Sequence, residues 1–269
     1  KTINTKAIRK YGKLNYPFGG LDDIKNKVLR HTSDAFAEDP LRVLRLARFA
    51  AKLPDFTIDP KTIELLKVVT QSDEFKSLTP ERVLMEMSGA FKTSRPSRFF
   101  EVLKLVGGVE HFLPELAALY DVPQKPEYHP EGDCWVHTML VLDEARKITD
   151  NPVVHFSALV HDLGKGITPN EILPAHHGHE EAGIPLVEAV CRRLKVPGSW
   201  KELALIVTKQ HLKIHQLKNL RPATVVKMFY EMGAYRKPQL VKELAQCCQA
   251  DAMGKYKSES DSKSLLEEY

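Results

Sequence analysis

The stretch "ALVHDLGKGITP" (residues 158–169) places two polar side chains, His161 and Asp162, directly after an apolar run and before a Gly-Lys-Gly turn. The apolar run indicates a packed helix that ends at the edge of a core. Adjacent helical residues point about 100° apart, so the two side chains can share one partner only because the helix stops, as Gly164 predicts. We interpret the pair as two ligands of a metal ion.

Apolar residues recur at three- and four-residue steps along most of the chain, which is the period of amphipathic helices. The segments with this pattern are "DPLRVLRLARFAAKL" (39–53), "KTIELLKVVTQ" (61–71), "TPERVLMEMSGAF" (79–91), "SRFFEVLKLV" (97–106), "VHTMLVLDEARKI" (136–148) and "SWKELALIVTKQHL" (199–212). Asp39-Pro40 and Thr79-Pro80 each mark a helix start, since both join an N-cap acceptor to a proline. Alternating strand patterns are absent from the sequence, which predicts an all-α fold.

The composition sets limits on organisation and compartment. A chain of 269 residues is long enough for two or three modules, and the segment 120–135, rich in proline and glycine, is predicted to link two helical halves. No run approaches the roughly 18 apolar residues of a membrane span, and the four cysteines have no CxxC spacing. These features predict a cytosolic protein. The net charge of +4, with a pI near 8.7, permits an anionic partner.

Most of the eleven histidines fall between residues 137 and 215. Neutral imidazoles suit transition metals, and carboxylates neutralise the charge of an ion, although a single histidine is more often a hydrogen-bonded core residue. The order H…HD…D, with "HDLGK" intact, resembles the HD superfamily of metal-dependent phosphohydrolases. The resemblance implies that the metal ligands are His137, His161, Asp162 and Asp251. It also makes His161 and Asp162 the candidate catalytic residues.

"HHGHEEAG" (176–183) resembles the GHExxGA stretch of HD domains attached to polymerases. This makes His179 and His211 candidates for holding a second ion or the substrate phosphate, with a role outside the site as the alternative. Lys165 is placed to meet a phosphate, and His215, four residues after His211, fits either a metal or an exposed helix face. A transition metal such as Ni²⁺, Co²⁺ or Mn²⁺ would lower the pKa of bound water and polarise a phosphoryl oxygen, so no protein nucleophile is needed.

The front half carries three arginines, Arg42, Arg45 and Arg48, at three-residue spacing along one helix. The planar guanidinium suits both bases and phosphates, although a solvated helix face has the same pattern. "AEDPLRVLRLARFAAKL" (37–53) resembles the EDPxRxLRxxRFxA signature of the bacterial tRNA nucleotidyltransferases, which are the CCA-adding enzymes of class II and their poly(A) polymerase relatives.

Further motifs follow in the order of that family. "TINTKA" (2–7) is similar to the end of its RRDxTINAxA segment, and "YPFGGLDDIKNKVLRH" (16–31) to DPxxGxxDL, with Tyr16 where aspartate is usual. "LTPERV" (78–83), "FLPEL" (112–116) and "YHPEGDCWVHT" (128–138) continue the match into the branch with a C-terminal HD domain. The resemblance implies the end of a nucleotidyltransferase head at 1–30, a helical neck and body at 31–125, and an HD phosphohydrolase domain at 126–269.

The resemblance implies addition and repair of the 3′-terminal CCA of tRNA from CTP and ATP, without a nucleic-acid template. Asp39 and Arg42 would act as the template, since a carboxylate accepts from the exocyclic amines of C and A and a guanidinium donates to ring acceptors. Arg45 and Arg48 would also bind the nucleotide. The expected partners are tRNA, CTP and ATP, with no membrane, and the protein is expected to be a monomer or a homodimer. Arg95 and Arg98 suit the tRNA backbone.

The family's DxD polymerase carboxylates do not occur in this sequence. We therefore expect the head domain, with its Mg²⁺ for nucleotidyl transfer, to lie upstream of Lys1. The HD domain would hydrolyse phosphoesters, as a 2′,3′-cyclic phosphodiesterase, 2′-nucleotidase and phosphatase. Two alternatives stay open: a free-standing HD nucleotide phosphohydrolase, and a non-catalytic tRNA-binding module whose histidines are structural.

Overall fold

The computed structural model describes residues 19–255 and the backbone of residues 7–8 and 14–15. Of the sequence motifs, "TINTKA" apart from Ala7, and Tyr16, lie outside the described residues. No helix among the described residues is long and apolar enough to cross a membrane.

The described residues are predominantly helical, which confirms the all-α prediction. The helices are α1 (Gly20–Lys25), α2 (Leu41–Lys52), α3 (Pro60–Thr70), α4 (Asp73–Lys76), α5 (Pro80–Ala90), α6 (Ser97–Leu105), α7 (Val109–Phe112), α8 (Pro114–Ala117), α9 (Cys134–Ile148), α10 (Pro152–Val160), α11 (His179–Arg193), α12 (Gly198–His215), α13 (Pro222–Glu231) and α14 (Gln239–Met253). The short strands are β1 (Ala7–Ile8), β2 (Leu14–Asn15), β3 (Val28–Leu29) and β4 (Thr57–Ile58). β1 pairs antiparallel with β2, and β3 pairs parallel with β4.

The chain forms two compact units, Lys1–Phe112 and Leu113–Tyr269. In the first unit α2 packs against α5 and α6 through its apolar stripe, whose buried residues include Leu44, Ala47 and Ala51. The sequence predicts this stripe from its period. Helix α2 begins at Leu41, one residue later than the Asp39-Pro40 signal predicts, and the carboxylate of Asp39 accepts a hydrogen bond from the Leu41 backbone N–H.

The second unit is a bundle in which α9, α10, α12 and α14 pack on one another, and α11 covers α12. Its core is apolar and lies between these helices, with Val141, Val154, Val207 and Leu244 almost fully buried. These helices, or the turns that directly follow them, carry polar side chains to the same end of the bundle. The packing of the apolar stripes therefore fixes where these polar side chains meet.

The segment 120–135 differs from the predicted linker. It belongs to the second unit, Gln124 and Glu131 are buried, and Pro123 forms a β-bridge with Asp133. Proline and glycine serve here to turn the chain tightly, with Gly132 at a φ of 71°, and to fold it against the end of α9. The composition of a tight turn and that of a linker are alike, which is why the sequence does not separate them.

Candidate metal centre

Six buried side chains from separate elements converge at one end of the second unit. His137 lies in the first turn of α9, His161 and Asp162 directly follow α10, and Asp251 lies in the last turn of α14. His179 is the first residue of α11, and His211 directly precedes the last turn of α12. Each of the six is at most 8% exposed.

His137 and His161 present Nε2 to the centre. The Nδ1 atom of His137 lies 2.7 Å from Glu131 Oε1 and 3.1 Å from the carbonyl oxygen of Gly254. The Nδ1 atom of His161 lies 2.8 Å from the carbonyl oxygen of Ala158. Carbonyl and carboxylate oxygens only accept hydrogen bonds, so both Nδ1 atoms carry the hydrogen. In the neutral rings Nε2 is then a free acceptor.

These Nε2 atoms face carboxylate oxygens. His137 Nε2 lies 3.0 Å from Asp251 Oδ1, and His161 Nε2 lies 3.2 Å from Asp162 Oδ2 and 3.9 Å from Asp251 Oδ1. A lone pair that faces a carboxylate oxygen is repelled by it unless a proton or a cation lies between them. His161 Nε2 is buried and has no hydrogen-bond partner among the described residues. This set of donors fits a divalent ion, because imidazole nitrogens and carboxylate oxygens are its usual ligands.

A second group of potential metal ligands is built in the same way, with each Nδ1 atom beside a backbone carbonyl oxygen. His179 Nδ1 lies 2.7 Å from the carbonyl oxygen of His176, and His211 Nδ1 lies 3.1 Å from that of Val207. Their Nε2 atoms are 3.4 Å apart and lie 3.2 and 3.5 Å from Asp162 Oδ1. Asp162 Oδ1 is likewise buried without a hydrogen-bond partner in the described part of the chain. Asp162 therefore offers one oxygen to each group of histidines.

The electrostatics of the pocket favour positive charge. Burial opposes ionisation of Asp162, but the charges of His161 and Lys165 outweigh it and hold the pKa of the carboxyl well below its usual range. Burial also opposes a charged His137, yet the hydrogen bonds to Asp251 and Glu131 raise its pKa to about 9. The pocket thus stabilises a proton or another cation at Nε2 of His137.

The pKa of His211 shifts the other way from that of His137, because burial lowers the pKa of its imidazole to about 4. This ring is neutral at pH 7, which is the form that binds a metal. The carboxyl of Asp251 has a pKa well below its usual range, because hydrogen bonds from His137 and His215 outweigh the effect of burial. Both carboxylates of the centre are therefore ionised at neutral pH.

Lys165 lies inside the centre rather than in solvent. Its side chain is 8% exposed, and Nζ lies 2.6 Å from Asp162 Oδ2 and 2.7 Å from Gln124 Oε1. An ammonium has three N–H donors, and these two acceptors use two of them. One donor is left for a further acceptor at the centre.

Sequence reasoning missed two residues here and left a third open. Gln124 and Glu131 lie in the segment interpreted as a linker, and of the two only Glu131 falls within the "YHPEGDCWVHT" match. His215 lies 2.6 Å from Asp251 Oδ2 through its Nε2, so this ring donates a hydrogen bond to a carboxylate of the centre. The (i, i+4) spacing of His211 and His215 places both at one side of α12.

Other histidines have structural partners. His155 Nε2 donates to the carbonyl oxygen of Thr149 at 2.7 Å, and His176 Nε2 lies 3.0 Å from the carbonyl oxygen of Pro123. His177 is exposed. None of the three places a ring nitrogen among the potential metal-ligand atoms of either group at the centre.

In the first unit Asp39 and Arg42 lie one helical turn apart. Asp39 Oδ1 accepts from the Leu41 backbone N–H at 3.2 Å and lies 3.4 Å from Arg82 Nη2. Arg42 Nη1 donates to the carbonyl oxygen of Ala35. Both side chains are partly exposed, so each retains a surface that a base could meet.

The remaining arginines differ in their surroundings. Arg45 is exposed, whereas Arg48 Nε lies 2.5 Å from Oε2 of the buried Glu86. The aliphatic part of Arg48 also packs on Gly89, where a Cβ atom would lie 2.6 Å from Arg48 Cδ. Arg48 therefore joins α2 to α5, and its role in nucleotide binding stays a prediction.

Arg95 and Arg98 share one acidic partner. Arg95 Nη2 lies 3.1 Å from Glu101 Oε1, and Arg98 Nη1 lies 3.3 Å from Glu101 Oε2. The two side chains are 28% and 21% exposed. One carboxylate thus offsets part of the charge of this pair, and its role in tRNA binding also stays a prediction.

Two family sequence models match the chain. Residues 55–120 match the family described as "Probable RNA and SrmB- binding site of polymerase A", and residues 135–253 match the "HD domain" family. The second range includes the six converging side chains, whereas Glu131 and Gln124 precede it.

Curated relatives match nearly the whole chain. It is 47% identical over 256 residues to the multifunctional CCA protein of Acinetobacter baumannii and 46% identical over 256 residues to that of Shewanella frigidimarina. Each alignment covers 94% of this chain and 62% of the relative. The chain thus spans less than two thirds of the length of these relatives.

Solved structures share the fold. A CCA-adding enzyme in complex with ATP matches with a TM-score of 0.57 at 19% identity, covering 100% of this chain and 56% of that one. A Thermotoga maritima CCA-adding enzyme in complex with tRNA matches with a TM-score of 0.55 at 18% identity, covering 100% and 57%.

Proposed function

Because the chain belongs to the family of the multifunctional CCA proteins, we propose that its second unit is a metal-dependent phosphohydrolase and its first unit a part of a tRNA nucleotidyltransferase. The proposal for the second unit rests on the meeting of the Nε2 atoms of four imidazoles with two ionised carboxylates. The proposal for the first unit rests on the identity to CCA proteins over 94% of the chain.

In the phosphohydrolase His137, His161, Asp162 and Asp251 hold a divalent ion, and His179 and His211 hold a second ion or the substrate phosphate. When bound there, a transition metal such as Ni²⁺, Co²⁺ or Mn²⁺ would lower the pKa of a water molecule and polarise a phosphoryl oxygen. Lys165 donates its remaining N–H to an oxygen of the phosphate. The oxygen acceptors at the four Nδ1 atoms keep the rings oriented.

The substrates we propose are 2′,3′-cyclic phosphates, 2′-nucleotides and simple phosphomonoesters. Such phosphates are anions, and a bound divalent ion together with the ammonium of Lys165 would supply the positive charge that this class requires. The test is turnover of 2′,3′-cyclic AMP by the purified chain with Ni²⁺, Co²⁺ or Mn²⁺. We expect turnover that disappears with a chelator and returns when the metal is restored. A chain that binds no metal and turns over none of these esters would refute this half of the proposal.

In the nucleotidyltransferase Asp39 and Arg42 select CTP and ATP, and Arg45 and Arg48 contact the nucleotide. Asp39 directly precedes α2, and its carbonyl oxygen accepts a hydrogen bond from the Arg42 backbone N–H at 2.9 Å, which supports a base shared by the two residues. A base that presents the opposite pattern of donors and acceptors would leave buried groups unpaired, at a cost of about 1–3 kcal/mol each. The proposed product is the 3′-terminal CCA of tRNA.

Binding of tRNA by the first unit should depend on Arg95 and Arg98. Contacts to phosphates release counterions, so we expect the affinity of the chain for tRNA to fall as salt rises. The double variant Arg95→Gln/Arg98→Gln should weaken binding about 10-fold and flatten the salt dependence, measured by filter binding.

The control for this variant is Lys147→Gln, which removes an exposed cation of the second unit. Because Glu101 loses these two arginine partners in the double variant, the thermal unfolding of the variant is compared with that of the wild type. A folded double variant with unchanged affinity and salt dependence would show that tRNA binds elsewhere.

A further inference from the structure

We propose that Glu131 is a positioning residue for the metal centre, which fixes the tautomer of His137 and thereby sets the affinity for the ion. This inference rests on the proposed phosphohydrolase function. Glu131 lies outside the HD family match and comes from the turn that precedes α9.

Glu131 is the only carboxylate, among the described residues, that faces an Nδ1 atom of the four histidines within hydrogen-bond distance. The side chains of Glu131 and His137 are both 0% exposed, and their Oε1 and Nδ1 atoms are 2.7 Å apart. His161, His179 and His211 donate instead to carbonyl oxygens of the backbone. A charged acceptor forms a stronger hydrogen bond than a neutral carbonyl and raises the basicity of the opposite ring nitrogen.

The need for a stronger acceptor at His137 follows from its second nitrogen. His137 Nε2 lies 3.0 Å from Asp251 Oδ1, a distance at which an Nε2–H would form a good hydrogen bond. In that tautomer the lone pair would point at Glu131, and Nε2 would be unable to bind a cation. Glu131 opposes this tautomer, because a lone pair at Nδ1 would face a carboxylate oxygen.

Hydrogen bonds hold the Glu131 carboxylate beside His137 and keep it ionised. His129 Nδ1 lies 3.0 Å from the same Oε1 atom, and the rings of His129 and His137 meet edge to face with centroids 4.7 Å apart. Burial would raise the pKa of Glu131, but the hydrogen bonds from His129 and His137 lower it to about 2. The turn "HPEGD" therefore places an ionised carboxylate behind a proposed ligand, in the manner of a carboxylate–histidine–metal arrangement.

The experiment compares Co²⁺ and Ni²⁺ affinities of the wild-type chain, Glu131→Gln, and the exposed control Glu127→Gln by calorimetry and by competition with a chelator. Loss of such a partner costs about 10–100-fold in metal affinity, and we expect this loss for Glu131→Gln and none for Glu127→Gln. Glutamine nearly preserves the volume, so thermal unfolding in excess chelator should change little. Nitrogen chemical shifts of His137 in the metal-free protein, recorded above its raised pKa of about 9 so that the ring is neutral, should report Nδ1–H in the wild type and added Nε2–H in the variant.

A second variant, His129→Phe, keeps the ring against His137 and removes one hydrogen bond to Glu131. It should weaken metal binding in the same direction by a smaller factor, and it supplies the answer if Glu131→Gln does not fold. Wild-type affinity with an unchanged His137 tautomer in the folded variants would overturn the inference while leaving the phosphohydrolase intact. A wild-type chain that binds neither metal would instead refute the proposed function on which the inference rests.

Discussion

Replacing Asp162 with alanine is expected to reduce metal-dependent hydrolysis of 2′,3′-cyclic AMP by at least about 100-fold, because the outer partners of a metal ligand alone are worth about 10–100-fold. Asp162 offers Oδ2 to His161 and Oδ1 to His179 and His211, so its loss affects both groups of donors. It also leaves the buried ammonium of Lys165 without its charged partner. The measurement is the initial rate with Ni²⁺, Co²⁺ or Mn²⁺, after purification from contaminating phosphatases.

Asp162→Asn separates the ligand role from packing, because asparagine has nearly the same shape but no charge. It should fold and still lose most of the activity. Asp150→Ala is the matched control, since the side chain of Asp150 is 90% exposed, and it should retain wild-type rates. Binding of tRNA is expected to be unchanged in all three variants, because Arg95 and Arg98 belong to the first unit. Equal rates for wild type and Asp162→Asn would refute the metal centre and leave the histidines as structural residues.

Replacing Gly164 with alanine is expected to destabilise the second unit and displace His179. A Cβ atom at Gly164 would lie 1.9 Å from the carbonyl oxygen of His179 and 2.8 Å from the backbone nitrogen of Gly183. Backbone atoms of two elements must therefore move apart, and we expect a loss of about 3 kcal/mol, at the upper end of the usual cost of overpacking. In a domain of this size that lowers the melting temperature by roughly 6–12 °C, measured by calorimetry.

Gly198→Ala is the matched control, because no atom lies within 4 Å of a Cβ built at Gly198 in the same unit. Its melting temperature should stay close to that of the wild type. Because the first turn of α11 carries His179, Gly164→Ala should also reduce metal affinity when it is measured below the lowered melting temperature. A variant as stable as the wild type would show that the turn after α10 does not press against α11 in solution.

The sequence alone is sufficient to predict the amphipathic helices α2, α3, α5, α6, α9 and α12 and the order of the proposed ligands. The apolar stripe of α2 and the helix start at Thr79-Pro80 are local features, since a period of 3.6 residues and an N-cap act within a few residues. The pair His161-Asp162 can be recognised as a candidate ligand pair at a helix end for the same reason, because the apolar run and Gly164 are its immediate neighbours. The family signatures add the resemblance to the CCA proteins, although they do not specify which side chains are in contact.

Tertiary structure decides which of these groups meet. Gly164 and Gly183 belong to two separate sequence motifs. Only the fold shows why both are glycine, because the turn after α10 packs against the backbone of α11. Arg48, which the sequence groups with Arg42, turns inward to Glu86 because α5 packs beside α2.

Glu131 lies in a segment whose composition predicts a linker, yet the fold places its carboxylate against His137. Likewise His215 becomes a partner of Asp251 only through the packing of α12 on α14. Local sequence determines the period and the ends of a helix, because those depend on residues a few positions apart. The contacts of a buried carboxylate depend on elements far apart in the chain, and these meet only when their apolar faces pack into one core.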